Sequence, residues 1–228
     1  MEATYAYCVC SDLSLYQIDE SSFTTSSITI NHYPAAIILT PDRSFGYVSS
    51  TNVQALMPCN LSSFTMGSDI SLPGSGGTTG MLQNTTGNII YGISRSGTLW
   101  SCDTSTPETP SVSTVTTLPS IDYTTGLMGL DPTGNYLVIG YVDNSSVKKV
   151  SIYDISGTLI GTISNIDGKG VAFDQSGHAY VTDYSTVNVV KLLLSDPSTN
   201  SSLALTSGHP STIQNMTVLG TPYLVTCT

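Results

Sequence analysis

A chain of 228 residues with 39% hydrophobic content is long enough to bury a substantial core, yet only 10% of it is charged. Sixteen Asp and Glu against six Lys and Arg give a net charge of −10, which excludes the phosphate-neutralising surface that nucleic acid needs and disfavours anionic membranes. No stretch reaches the ~18 apolar residues of a membrane-spanning helix, so no membrane insertion is expected.

The opening MEATYAYCVCSDLS carries neither the basic start nor the apolar run of a secretory leader. TYAYCVC, LSLYQID and residues 23–30 read as three strands, and Cys8 and Cys10 on the first are read as pointing to opposite faces. AAIILTPDRSFGYVSSTNVQALMPCN, residues 35–60, then reads as an apolar strand, a polar turn, a strand, a turn and a third strand. The order recurs in GMLQNTTGNIIYGISRSGTLWSCD (80–103), in GLMGLDPTGNYLVIGYVDNSSVKKVSIYD (126–154) and in GVAFDQSGHAYVTDYSTVNVVKL (170–192). The C-terminus supplies one strand at 213–219 and another, PYLVTCT. Helix signals are nearly absent, because Pro, Gly, Ser and Thr interrupt every long window and β-branched residues dominate between them. Ser and Thr make up roughly 29% of the chain, far above their usual share, and alternate with Val, Ile, Leu and Tyr as half-buried strands require.

Two turn markers give the period. The first turn of each unit lies near Pro41, Thr86, Thr133, Ser176 and Gly220, at gaps of about 43 to 47 residues, the length of a four-stranded propeller blade. The third strand ends on Asp19, Asn60, Asp103, Asp154 or Asp196, residue types that start turns by bonding their own backbone. Both markers count five. They predict an all-β chain forming one domain over residues 1–228, a β-propeller of about five four-stranded blades. Its last blade is assembled from both termini, which closes the ring and removes an open edge. Residues 5–10 and 223–227 compete for the second place in that blade; as neighbours they would let Cys227 form a disulfide with Cys8 or Cys10.

The unit "apolar strand, Asp/Asn-x-Ser/Thr-Gly, Asn/His-x-Tyr/Leu-Val", seen in residues 126–142 and 170–183, resembles the NHL and YVTN-type propeller repeats. The match is good over two units and fair over two more. The resemblance implies that the Gly turn links the innermost strand to the second, and that ligands meet one mouth of a central channel. Because those families include scaffolds, ligand-binding proteins and a few enzymes, it implies a fold more than an activity.

By that geometry the mouth gathers His32, Tyr33, Arg95, Asp143, Lys169, Asp183, Tyr184 and His209, a set suited to binding a polar ligand such as a sugar. No catalytic residue and no cofactor are assigned. Asp143 and Asp183 are equivalent acids on neighbouring repeats, but each is expected to cap its own turn rather than share a cation, so no metal ligand is assigned. No G-x-S-x-G elbow occurs, and GSGGTTG at 74–80 lacks the Lys of a phosphate loop. Sequons at Asn60, Asn84, Asn144 and Asn200 fall in predicted turns, where a glycan would project, whereas Asn215 falls in a strand. The leading expectation is a non-enzymatic binding or structural module, outside a cell or on a virus particle, with protein neighbours or a glycan as partners. A metal-assisted lyase, lactonase or glycan-active enzyme at the mouth, and a cytoplasmic scaffold, are the alternatives.

Overall fold

The computed structural model describes residues 4–206, 208–218 and 221–227, with side chains to 206 and again over 208–213. Every regular element is a strand, and none of the described residues is helical. The chain divides into two compact units, Met1–Thr114 and Val115–Thr228.

Unit 1 opens with a three-stranded antiparallel sheet of β1 (Tyr5–Cys10), β2 (Ser14–Asp19) and β3 (Thr25–Thr29). The second sheet is β4 (Pro34–Leu39), β5 (Phe45–Ser50) and β6 (Ala55–Asn60), followed by a fourth strand broken into β7 (Thr65–Met66) and β8 (Ile70–Ser71), both paired to β6. The third is β9 (Thr78–Gln83), β10 (Ile89–Ser94), β11 (Thr98–Asp103) and β12 (Ser111–Thr117), whose last residues belong to unit 2. Unit 2 holds β13 (Ile121–Leu130), β14 (Tyr136–Asp143), β15 (Lys148–Asp154) and β16 (Leu159–Ser164) in one four-stranded meander. A second meander is β17 (Gly168–Phe173), β18 (His178–Asp183), β19 (Asn188–Leu193) and β20 (Asp196–Ala204), and β21 (Thr212–Val218) and β22 (Thr221–Cys227) form a hairpin.

Burial follows strand order. Second strands are buried almost throughout, as in Tyr136–Asp143, while fourth strands such as Leu159–Ser164 are half or fully exposed. The cores lie between successive sheets. Leu15, Val48, Met57 and Leu61 join the first two sheets of unit 1, and Tyr47, Leu56, Ile90 and Trp100 the second and third. Leu127, Val138, Ile152, Phe173, Val181 and Leu192 join the two meanders of unit 2. First strands of successive sheets lie side by side, β4 with β9, and β13, β17 and β21 in turn.

The turn chemistry is that of the repeat. Asp131 Oδ1 accepts the backbone N–H groups of Asn135 and Tyr136, both at 2.7 Å, and Asp174 Oδ1 those of Ser176 and His178. Asn84 Oδ1 accepts from Ile89 N–H, and Thr40 Oγ1 from Phe45 N–H. In each case the chain then turns through a left-handed residue: Gly87, Gly134 and Gly177 at φ 76 to 82°, but Arg43 at φ 55° in the second sheet. The second marker behaves the same way. Asp19, Asn60, Asp103, Asp154 and Asp196 each accept the N–H two residues on, from Ser21, Ser62, Ser105, Ser156 and Ser198. The Ser156 hydroxyl, with further backbone donors, holds the Asp154 carboxyl below its ordinary range.

Four expectations change. Among the described residues the strands form six sheets, with β1–β3 and β21–β22 as separate sheets at the two ends. β1 lies beside β4, as first strands do, and not in a second-strand place. The tight Asp12 turn, where Ser14 N–H bonds Asp12 Oδ1, folds β1 locally onto β2. Cys8 and Cys10 share a face, since side-chain direction alternates with every residue and returns after two; their Sγ atoms are 3.7 Å apart. The expected Cys227 bridge lies outside the described side chains; among the described residues Cys8, Cys10, Cys59 and Cys102 form no disulfide with one another. Asn200 lies within β20 and not in a turn, because that strand begins at Asp196.

Two glycines separate backbone from packing effects. Gly177 has φ +82° and open space where a Cβ would stand, so Gly177→Ala is expected to cost about 1 kcal/mol, the strain of a left-handed alanine. Gly92 lies under Trp100, with a Cβ position 2.1 Å from the ring, so Gly92→Ala is expected to cost about 3 kcal/mol or more. Urea unfolding of both variants measures the difference.

Candidate functional site

Of the expected mouth residues, His32, Tyr33 and Arg95 lie in unit 1 and Asp143, Lys169, Asp183, Tyr184 and His209 in unit 2. In unit 1, His32 Nε2 pairs with Asp69 Oδ2 at 2.8 Å, with Asn31 on the same carboxylate. Tyr33 is 54% exposed, and its carbonyl accepts from Thr51 N–H at 2.8 Å. Arg95 is exposed on the β10–β11 turn, anchored by its N–H to the Gly77 carbonyl. No hydrogen bond, ion pair or ring contact joins Arg95 to His32 or Tyr33 among the described residues. Unit 1 also has a hollow of about 500 Å³ lined by Tyr5, Tyr7, Asp42 and Arg43, which no motif announces.

In unit 2 the structure does gather a site. Tyr184 ends the β18 hairpin with its ring 42% exposed. The His209 imidazole lies against it, centroids 4.7 Å apart and tilted by 33°, and Lys169 Nζ lies 5.9 Å from the ring centroid. His209 Nδ1 is 2.6 Å from the Tyr184 carbonyl oxygen. A carbonyl only accepts, so Nδ1 carries the proton, and in the neutral ring Nε2 is left as an acceptor.

Two buried carboxylates hold this group in place. Asp183 Oδ1 caps its own turn through Ser185 N–H and also accepts the N–H of Asp167 at 3.0 Å. Asp167 returns the link, its carbonyl accepting from Tyr184 N–H at 3.1 Å. The Asp167 carboxylate then takes Lys148 at 2.6 Å on one oxygen and Lys169 at 3.0 Å on the other. Burial pushes the Asp167 carboxyl up, but the two ammonium groups outweigh it and hold it below the ordinary range. Loops from β16–β17 and β18–β19 are thereby tied together, and Lys169 is aimed by the acid beside it. Tyr123 lies 44% exposed at the start of β13.

Asp143 stands apart from the stack. It caps its turn through Ser145 and Val147 N–H and pairs with Lys149 at 2.7 Å, which holds its carboxyl low. Asp143 and Asp183 are thus each committed to turns, and no group of three or more His, Cys, Asp or Glu gathers among the described residues. Sequence reasoning missed Lys148, Asp167 and Tyr123. Of the sequons, Asn144 is exposed, while Asn84 and Asn200 spend their amide N–H groups on local acceptors.

A depressed carboxyl stabilises the fold above the unfolded-state value and loses that contribution as pH falls through the folded one. Below pH about 4 the wild type is therefore expected to weaken more steeply than Asp167→Asn. At pH 7 the variant is expected to be less stable by about 2 kcal/mol, having lost a charged partner for two lysines. Urea midpoints between pH 2 and 7 measure both.

No family model and no curated protein matches the chain. Solved structures do match, 1332 chains in all. One is Kuenenia stuttgartiensis hydrazine synthase, at TM-score 0.70 and 12% identity, over 98% of this chain and 80% of that one. At that identity the likeness is one of fold alone: an all-β, propeller-like array of antiparallel sheets.

Proposed function

We propose that this chain is a non-enzymatic binding module, a single propeller-type domain whose terminal sheets complete the ring, which takes a sugar on the Lys169–Tyr184–His209 face. The carrying observation is the exposed Tyr184 ring, with an imidazole and an ammonium beside it and its backbone tied to a buried acid. A sugar needs an aromatic face for its C–H groups and rigid polar donors and acceptors for its hydroxyls. Tyr184 offers the first, and Lys169 Nζ and His209 Nε2 the second. Catalysis is less well served. A general acid needs a raised carboxyl value, whereas Asp167 is held low by its lysines and Asp143 by Lys149.

The same proposal sets the module at a cell or virus-particle surface, among protein neighbours. Its support is the charge-poor, hydroxyl-rich composition and the exposed Asn144 sequon. A second reading is a scaffold in a reducing compartment, for which the buried Cys59 and Cys102, in no disulfide among the described residues, are the support. Glycan occupancy on the native protein separates the two.

A glycan array with the purified protein tests the main reading. Binding should be specific and should fall about tenfold, or 1.4 kcal/mol, in Tyr184→Ala and Lys169→Ala without loss of folding. Silence on the array, together with a protein that is monomeric in its native setting, would contradict it.

A further inference from the structure

Independently of that face, we propose that Cys8 and Cys10 form a two-thiolate site for a thiophilic d10 cation, of which Zn²⁺ is the common representative. The pair lies on the outward face of β1, opposite Tyr16 and Ser14 of β2, while Tyr7 and Val9 face the core. Cys8 is exposed and Cys10 half-buried, so both thiols are within reach of a solvated ion. The buried Cys59 and Cys102 differ: they are shut away from a solvated ion, and burial pushes each thiol up to about 11.

The spacing is what carries the inference. The two Sγ atoms are 3.7 Å apart. A cation bonded to both at the usual ~2.3 Å would subtend an S–metal–S angle of about 107°, close to the tetrahedral value that d10 ions adopt. The strand pairing with β2 sets both Cβ positions, and the sulfurs already stand at this spacing. In the free protein one thiol donates to the other sulfur, and this hydrogen bond, with the nearby Asp12 charge, raises the Cys10 thiol. The same Asp12 charge that opposes a lone thiolate favours a bound cation. Asp12 itself is oriented by Ser14 N–H and the Tyr16 hydroxyl. Loading one divalent ion replaces two S–H protons with two metal–sulfur bonds and releases both protons to solvent. The remaining positions belong to water. Soft sulfur donors without a third protein ligand select Zn²⁺ and Cd²⁺ over Mg²⁺ or Ca²⁺.

Cd²⁺ alone is the probe, titrated into phosphine-reduced full-length protein and followed by the ultraviolet thiolate-to-metal charge-transfer band. One ion per chain is expected, with affinity weakened roughly tenfold or more in Cys8→Ser and in Cys10→Ser. Cys227→Ser should bind as the wild type does. Far-ultraviolet circular dichroism confirms that the exposed serine variants keep their sheets. A wild type without a saturable band, a band that survives both substitutions, or one lost in Cys227→Ser would each overturn the site.

Discussion

The Lys169–Tyr184–His209 face of unit 2 depends on one exchange between two loops. Asp183 accepts the N–H of Asp167, and the Asp167 carbonyl accepts the N–H of Tyr184. Both aspartates are buried, and a buried carboxylate left unpaired would be costly, so each must be saturated with donors. Asp183 is saturated by its own turn and its neighbour's backbone, Asp167 by two lysines. Everything outward of this exchange inherits its position. Lys169 points where Asp167 holds it, Tyr184 leaves the hairpin where its N–H is tied, and His209 closes on the Tyr184 carbonyl. A flexible loop would lose conformational entropy on binding a ligand; this one has given it up on folding.

The chain's scarcity of charge acquires a meaning here. Its carboxylates are largely structural, accepting backbone N–H groups at turn after turn, and the abundant serines and threonines supply the donors that keep them ionised. Of the four lysines, Lys148, Lys149 and Lys169 are paired with turn aspartates in unit 2. What remains for solvent is a surface of hydroxyls, amides and a few exposed tyrosines, which suits weak polar recognition better than strong electrostatic steering.

The legible part of the fold was the part with local chemistry. Asp131, Asp174 and Asn84 announce their turns because a short acceptor and a following glycine must sit at fixed offsets. Arg43 shows the limit: it occupies the left-handed position without a glycine, and only the repeat places the turn there. The termini were less legible, because strand composition says that a segment pairs and not with which partner; that β1 lies beside β4 is a non-local contact no turn announces. The site was half legible for the same reason. Turn positions named Lys169, Asp183, Tyr184 and His209, but Asp167 is defined by a contact sixteen residues away with Asp183. Nothing local distinguishes it from an ordinary loop acid.

Amide hydrogen exchange on the free protein tests the central claim most directly. If the two buried aspartates preorganise the face, the N–H groups of Asp167 and Tyr184 should be protected to the level of the neighbouring strands β17 and β18, although both lie outside them. Exchange of those two amides at the rate of an open loop would mean that the Asp167–Asp183 exchange does not persist in solution, and the binding face would have no frame to hold it.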